Sequence, residues 1–357
     1  MNLEVFFKES PYIWDEKKKD DILLEYLSYL TQFHYENCKE YKNLLNALEW
    51  NHTLKSLEQL PFLPVGLFKE LELRSIDKQH IFKTLTSSGT SGQKTSKIFL
   101  SQEVAMYQQK TLVKIVSNFI GKERVAMVIL DTSSVLKDRE KFSARGAGVL
   151  GFSIFAKDKI YAFDDDMCLN LEALNQFFIK HRGERILFFG FTFIVWEYFY
   201  KALKKSGIVL DINAILIHGG GWKKLVDRAV SKEAFRSGLG EVGIKEVYDY
   251  YGMAEQVGSI YMECEKGYFH SSHFSKVIMR NPYDFSLCQI GEKGAIQVIS
   301  VIPKSYPGHS LLTEDEGILC GVDNCACGRK GEYFKILGRL QSAEIRGCSD
   351  TYGNANE

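Results

Sequence analysis

The sequence predicts an α/β fold in which helices cover a mostly parallel sheet, followed by a β-rich C-terminal part. Four short apolar runs each end in a turn, and they are Val125–Leu130, Ile186–Phe189, Ala214–Ile217 and Val247–Tyr251. Stretches between and after them have helical spacing, namely Leu169–Lys180, Val195–Lys205 and Trp222–Arg236. Strands that alternate with helices indicate parallel pairing. From about residue 266 the pattern becomes β-rich, and Ala295–Ile302 is its clearest strand.

The N-terminal 60 residues are predicted to be a helical segment, because apolar side chains recur at helical spacing between Asp20 and Tyr41. The segment Pro61–Pro64 interrupts this pattern with two prolines. We therefore expect a core domain over residues 61–337, whose part from 266 to 337 is β-rich, and a tail over residues 338–357.

Composition narrows the functional class. The chain has 357 residues, of which 45% are hydrophobic and 25% charged, as is typical of a globular protein. Its formal net charge of zero argues against general nucleic-acid binding, which needs an excess of Lys and Arg. No apolar run is long enough for a membrane span, and the first 20 residues lack a signal-peptide pattern. The eight cysteines are scattered, so we expect reduced thiols and a cytoplasmic protein.

A run rich in glycine, serine and threonine, Thr86–Lys97, predicts a polyphosphate site. Glycines let the backbone approach anionic oxygens, and successive N–H groups form an anion-binding nest. The predicted phosphate ligands are Ser87, Ser88, Gly89, Thr90, Ser91, Gly92 and Lys94, with Lys97 as a further positive charge. A flexible surface loop is the alternative, since the run does not have the Walker A spacing.

Four further motifs follow in order along the chain. They are His218-Gly219-Gly220-Gly221-Trp222, Tyr251-Gly252-Met253-Ala254-Glu255, Thr313-Glu314-Asp315 and Gly338-Arg339. Together with the glycine-rich run, the ordered set resembles the adenylate-forming superfamily of acyl-CoA ligases, adenylation domains and luciferases. The segments Pro61–Phe68, Asp323–Arg329 and Ile345–Cys348 look most similar to the acyl-protein synthetases of the bacterial bioluminescence fatty acid reductase complex. Phenylacetate-type CoA ligases are the nearest alternative.

The resemblance implies a fold like the large N-terminal domain of that superfamily, and ATP-dependent activation of a fatty acid or other carboxylic acid as an acyl-adenylate. It also implies a role for each motif residue. Glu255 would hold Mg²⁺, Asp315 would bind the ribose hydroxyls, and Arg339 would reach ribose or phosphate. The adenine would lie near Tyr251 and Gly252, in a slot lined by His218, Gly219, Gly220 and Gly221. Two positions depart from the superfamily pattern. Ala254 replaces a hydroxyl residue, and Glu314 replaces a glycine.

The end of the chain departs further. In most members of the superfamily the Gly-Arg segment is a hinge before a swinging domain that carries a catalytic lysine. Only 18 residues follow Arg339, so we expect that this domain is missing and that Lys97 supplies the positive charge. The resemblance implies that Cys348 accepts the acyl group as a thioester and passes it to an acyl-CoA-reductase-type protein. Arg346, two positions before Cys348, favours the reactive thiolate.

Three alternatives stay open at this point. Cys348 could be an idle cysteine in the tail. The chain could be a phenylacetate-type acyl-CoA ligase that uses CoA directly. It could also be a non-catalytic subunit that binds a nucleotide and assembles a reductase complex.

Two pairs of residues have the spacing of metal ligands. Cys325 and Cys327 are two positions apart, and Cys264 precedes His270 by six. Together they predict a tetrahedral Cys3His site for a structural Zn²⁺. Reduced cysteines in turns are the alternative, since neither pair has the C-x2-C spacing typical of zinc sites.

An aromatic stretch, Leu187–Tyr200, indicates either an acyl pocket or buried core. The segment Arg139–Gly148, which contains several small residues, predicts either a flexible lid or a plain surface loop.

Overall fold

The computed structural model describes residues 2–87, 94–136, 144–222 and 227–340. Within these ranges the chain forms two compact units. The first unit comprises residues 2–87, 94–118 and 252–340, and the second comprises residues 119–136, 144–222 and 227–251. The first unit is therefore built from segments that lie far apart in the sequence.

Helices and strands follow one another along the described residues. The helices are α1 (Glu16–Asn37), α2 (Lys39–Ala47), α3 (Leu67–Glu70), α4 (Gln102–Ile120), α5 (Ala144–Phe152), α6 (Leu171–Lys180), α7 (Thr192–Ile194), α8 (Lys201–Lys205) and α9 (Lys232–Glu241). The strands are β1 (Leu63–Pro64), β2 (Lys83–Thr86), β3 (Lys97–Leu100), β4 (Val125–Thr132), β5 (Ala156–Phe163), β6 (Arg185–Phe191), β7 (Asn213–Gly219), β8 (Glu246–Met253), β9 (Gln256–Glu263), β10 (Phe269–His270), β11 (Ser275–Arg280), β12 (Lys293–Ser300), β13 (Ser310–Val322) and β14 (Glu332–Arg339).

The second unit contains the predicted parallel sheet. Its strand order is β8-β7-β6-β4-β5, and each neighbouring pair is parallel. The four predicted apolar runs lie in β4, β6, β7 and β8. Their side chains are buried on both faces over much of β4, β6 and β7, as is typical of parallel strands covered by helices. This confirms the predicted α/β fold.

Most of the predicted helices of the second unit are present, with one correction. The helix α6 occupies most of Leu169–Lys180, and Val195–Lys205 is helical as a π-helical segment, Val195–Tyr200, followed by α8. The prediction of a helix over Trp222–Arg236 is wrong in its bounds, because α9 begins at Lys232. The hydroxyl of Ser231 accepts the Ala234 N–H at 3.1 Å and caps the helix there.

The first unit contains the predicted β-rich C-terminal part. Its main sheet has the order β11-β12-β13-β14-β10-β9, each neighbouring pair is antiparallel, and β1 pairs in parallel with β13. The strands β2 and β3 form a separate antiparallel pair. Every residue of β11 is buried, so this part of the sheet belongs to the core.

The helix α1 begins at a carboxylate cap, because Asp15 accepts the Lys18 N–H at 2.9 Å. Its buried stripe contains Leu23, Leu27 and Leu30, each fully buried. The spacing of these leucines places them on one side of the helix. Lys19 lies on the same stripe, one turn before Leu23, and its side chain is also buried.

A buried ion network neutralises Lys19. Its Nζ lies 2.6 Å from Glu332 Oε2 on β14, and Lys276 on β11 lies 3.1 Å from Glu332 Oε1. Ser271 donates to the same carboxylate, and Asp20 pairs with Lys276 at 2.7 Å. Burial opposes ionisation of Glu332, but Lys19 and Lys276 outweigh it and lower its pKa to about 2. The network therefore joins α1 to two strands of the sheet.

Among the described residues, the helices are too short or too polar for any of them to cross a bilayer.

We predict that Lys19→Met lowers the free energy of unfolding by about 3 kcal/mol, because it leaves the buried Glu332 carboxylate with one cation fewer. Lys18→Met is the matched control, since Lys18 forms an exposed pair with Glu9 and should cost less than about 1 kcal/mol. Urea denaturation of the two variants measures the difference. Equal losses would contradict the assigned role of the network.

Candidate functional site

The β2–β3 pair holds the described ends of the predicted phosphate-binding run. Ser87 and Ser96 face each other there: Ser87 N–H donates to the Ser96 carbonyl at 3.1 Å, and Ser96 N–H donates to Ser87 Oγ at 2.9 Å. The predicted ligands Ser88, Gly89, Thr90, Ser91 and Gly92 lie outside the described residues. The structure therefore fixes Ser87 and Ser96 at the two ends of the run, which together form its base.

Glu255, the predicted magnesium ligand, is joined to this base. It lies in the turn before β9 and is only 3% exposed. Ser96 Oγ, also buried, donates to Glu255 Oε1 at 2.7 Å. A hydroxyl donor at this distance orients the carboxylate. Sequence analysis did not single out Ser96, although it lies in the same polar run.

The two lysines of the run differ in their surroundings. Lys97 is exposed at the start of β3, whereas Lys94 pairs with Glu70 at 2.5 Å. Both partners of the second pair are mostly exposed, so that ion pair is weak.

Asp315 and Arg339 are brought together on neighbouring strands. They are register partners in the β13–β14 ladder, and Arg339 Nε lies 4.0 Å from Asp315 Oδ1. The guanidinium of Arg339 also pairs with Glu314, the residue that replaces the usual glycine of the motif. The Glu314 side chain therefore engages the arginine of the next motif.

In the second unit, His218 is a buried and neutral histidine. It lies on β7, and its Nδ1 is 2.9 Å from Thr192 Oγ1 and 3.7 Å from Asp249 Oδ1. Burial, followed by the charges of Lys232 and Arg236, lowers its pKa to about 3. A neutral imidazole can orient a polar ligand without introducing a charge.

The glycines after His218 allow close packing of aromatic rings. A Cβ at Gly219 would lie 2.6 Å from the Tyr250 ring, and one at Gly220 would lie 2.9 Å from the Phe191 ring. Gly220 and Gly221 also have positive φ angles of 85° and 60°. The predicted adenine-slot residues thus lie against rings of β6 and β8. Tyr251 follows Tyr250 on β8 and is half-buried, whereas Gly252 is exposed.

The aromatic stretch Leu187–Tyr200 lies in β6 and the helical segment after it. Phe188 and Phe189 are fully buried, and Phe189 stacks on Phe152 with ring centroids 4.1 Å apart. These rings form the core of the second unit, which was one of the two predicted interpretations.

The segment predicted as a lid or a surface loop has a different structure where it is described. Residues 144–148 belong to α5, and Arg145 is buried against Asp131 at the end of β4. The Arg145 Nε lies 2.5 Å from Asp131 Oδ2, as part of a bidentate pair. Because a buried bidentate pair fixes the side chain, the first turn of α5 is held in place. The first residues of the predicted lid, 139–143, lie outside the described part.

The predicted metal ligands form a cluster in the first unit. One potential ligand atom from each of Cys264, His270, Cys325 and Cys327 lies within 4.8 Å of the other three. Cys327 Sγ is 3.3 Å from His270 Nε2. The two predicted pairs therefore converge, although Cys325 follows His270 by 55 positions in the chain. Cys348, the predicted acyl acceptor, lies outside the described residues.

Comparisons with known proteins agree over almost the whole chain. The family model described as acyl-protein synthetase, LuxE, matches residues 2–356. The long-chain-fatty-acid–luciferin-component ligase of Vibrio harveyi is 21% identical over 361 residues, which cover 97% of this chain and 91% of that protein. The ligase of the same name from Aliivibrio fischeri is also 21% identical, over 98% of this chain and 93% of that protein.

Solved structures share the fold. An open conformation of 2-hydroxyisobutyryl-CoA ligase, in complex with 2-HIB-AMP and CoA, superposes with a TM-score of 0.71. The match covers 93% of this chain and 72% of that protein at 14% sequence identity. This likeness establishes the adenylate-forming fold.

We predict that Gly219→Ala destabilises the protein by about 1–3 kcal/mol, since the new methyl group would overlap the Tyr250 ring. Gly240→Ala is the control, because a Cβ at that position in α9 meets no atom within 4 Å. The control should be neutral or slightly stabilising. Thermal and urea unfolding of both variants would check this. An unchanged free energy of unfolding in Gly219→Ala would contradict the prediction, because it would mean that the Tyr250 ring can move aside at little cost.

Proposed function

Because the chain belongs to the acyl-protein synthetase family LuxE, and is therefore a ligase of the adenylate-forming fold, we propose that it activates a fatty acid or other carboxylic acid with ATP. The carboxylate oxygen attacks the α-phosphorus of ATP and forms a new O–P bond. The bond to the β-phosphate breaks, and pyrophosphate leaves with its electron pair. The product is an acyl-adenylate, whose AMP leaving group makes the acyl carbon reactive.

The observation that carries this proposal is the buried Glu255 carboxylate held by Ser96 at the base of the glycine-rich run. Phosphoryl transfer requires mainly positioning and charge compensation from the protein. Carboxylate and phosphate oxygens are the ligands that Mg²⁺ prefers, so Glu255 suits this ion. When bound, Mg²⁺ would offset the negative charge that builds up on the phosphates. Ser96 would keep the carboxylate in one orientation.

The remaining motif residues have proposed roles in binding the nucleotide. In the first unit, the Asp315 carboxylate would accept hydrogen bonds from the ribose hydroxyls, and Arg339 beside it would balance the charge. In the second unit, Tyr251 and the backbone of Gly219–Gly221 would contact adenine. The neutral state of His218 supports a role in shaping this slot.

We propose that the acyl group then moves to Cys348. The thiolate sulfur attacks the acyl carbon, a C–S bond forms, the C–O bond to AMP breaks, and AMP leaves. Lys97 would stabilise the negative charge in this step. The names of the Vibrio harveyi and Aliivibrio fischeri relatives refer to long-chain fatty acids, which supports a long acyl chain here. An acyl-CoA-reductase-type protein is the proposed final acceptor of the acyl group.

Of the two metal ions predicted from the sequence, Mg²⁺ has a part in this reaction. A Zn²⁺ bound by three cysteines and a histidine would be structural, since four protein ligands leave no position open for a substrate.

We predict that the purified full-length chain, incubated with ATP, Mg²⁺ and radiolabelled tetradecanoic acid, acquires a label that neutral hydroxylamine removes. Cys348→Ala should still release pyrophosphate but lose the label, because adenylation precedes thiol attack. Cys168→Ser is the control, as Cys168 is a free and exposed thiol elsewhere. A denaturing gel and intact mass measure the label.

Other outcomes would point to another function. Pyrophosphate release that depends on CoA, with no label on the protein, would indicate an acyl-CoA ligase. Binding of ATP with no pyrophosphate release for any acid would indicate a non-catalytic subunit. A label retained in Cys348→Ala would assign the acceptor to another residue.

We predict that Glu255→Gln lowers the rate of pyrophosphate release by roughly 100-fold or more, because the ligand charge for Mg²⁺ is lost. Ser96→Ala should have a smaller effect, roughly 10–100-fold, together with a higher Mg²⁺ requirement, since it removes a partner of the ligand. Ser28→Ala, which changes a hydroxyl bonded to the Leu24 carbonyl within α1, is the matched control. An unchanged Mg²⁺ dependence in Ser96→Ala would contradict its positioning role.

A further inference from the structure

Two turns of the first unit have the same local structure. In one turn Gly267 N–H donates to the Cys264 carbonyl at 2.9 Å, and in the other Gly328 N–H donates to the Cys325 carbonyl at 3.0 Å. The glycines have φ angles of 79° and 81°, a backbone conformation that residues with a side chain rarely adopt. Each turn therefore begins at a cysteine and closes at a left-handed glycine three residues later.

We propose that Cys264, His270, Cys325 and Cys327 bind a structural Zn²⁺. Tetrahedral Zn–S bonds of about 2.3 Å separate the ligand atoms by roughly 3.4–3.8 Å. The four ligand atoms already lie within 4.8 Å of one another, and the pair Cys327 Sγ and His270 Nε2 is 3.3 Å apart. Small rotations of the side chains would complete the tetrahedron. None of the four residues takes part in the proposed reaction, so the zinc site does not depend on the proposed function.

The surroundings of the cluster suit thiolate ligands. Lys266 N–H lies 3.4 Å from Cys264 Sγ, and the Arg329 side chain lies beside Cys327. Arg329 also pairs with Glu265 at 2.9 Å and so links the two turns. Donors and cations around sulfur ligands are the usual outer shell of a zinc site. Three thiolates and one imidazole are soft ligands, which favour Zn²⁺ over Mg²⁺ or Ca²⁺.

The His270 ring presents its Nε2 to the cluster, 3.3 Å from Cys327 Sγ. The other nitrogen of His270, Nδ1, is buried and has no hydrogen-bond partner among the described residues. Its Nε2 therefore makes the polar contact of the ring, toward Cys327.

The metal site would hold the segment that precedes α1 against the sheet. Lys330 N–H, just after the second turn, donates to the Tyr12 carbonyl at 3.0 Å. The Tyr12 ring packs edge-on against the His270 ring, and His273 N–H donates to the Pro11 carbonyl at 2.8 Å. The residues around the cluster thus hold the segment that leads into α1. Loss of the metal should loosen this segment first.

Metal content of the full-length protein tests the proposal. The protein is purified without a metal-affinity step and dialysed against a weak chelator. We then expect elemental mass spectrometry to find one Zn²⁺ per chain. Cys325→Ser/Cys327→Ser should lose the zinc. Cys320→Ser should keep it, because Cys320 lies on β13, only five residues away, but outside the cluster. Cobalt substitution of the unaltered protein gives a second measurement that does not require the variants to fold. Intense visible bands of tetrahedral thiolate-bound Co²⁺ are expected.

Three results would overturn the proposal. One is a protein that takes up no stoichiometric zinc when reconstituted with Zn²⁺ under reducing conditions. Another is full zinc retention by the double variant, or equal loss in Cys320→Ser. The third is an intact mass that shows a disulfide between cluster cysteines in the reduced preparation. As a test of the structural role, removal of zinc should increase hydrogen exchange in residues 9–14, and unchanged exchange there would refute that role.

Discussion

The first unit depends on the neutralisation of one buried cation. Lys19 enters the core on the apolar stripe of α1, where an unpaired ammonium group would be strongly destabilising. Glu332 compensates it from β14, and Lys276 and Asp20 complete an alternating set of charges. Removal of one partner would leave another buried charge without compensation. The network joins α1 to the sheet, and Ser271 in the same network is adjacent to His270 of the cysteine–histidine cluster.

The first unit also keeps two kinds of metal chemistry apart. Glu255 offers oxygen to a hard cation and is held by a serine, whereas the cysteine–histidine cluster offers sulfur and nitrogen. Hard and soft ligand sets have different metal preferences, so the two proposed ions would not compete for one site. One set would serve the chemistry of the phosphates, and the other would stabilise the turns that hold the N-terminal segment.

Features with a local signal could be predicted from the sequence. The inner parallel strands are continuous apolar runs, and the ligand pairs of the cluster are close in sequence. The strand β5 was missed because its first residues alternate between exposed and half-buried positions at the sheet edge. The contact between Ser96 and Glu255 spans 159 positions, and no local pattern encodes it. Lys19 did have a signal, since it shares a helical stripe with Leu23 and Leu27, but it lies within a run of three lysines that resembles an exposed face.

The same network has a consequence for how the protein is made. Lys19 emerges from the ribosome 313 residues before Glu332, its principal partner. At a synthesis rate of about 5–20 residues per second, this delay is roughly 15–60 s. The second unit has most of its contacts within residues 119–251 and can fold while the chain is still growing. The Lys19 ammonium group therefore has no contact with Glu332 until almost the whole chain has been made.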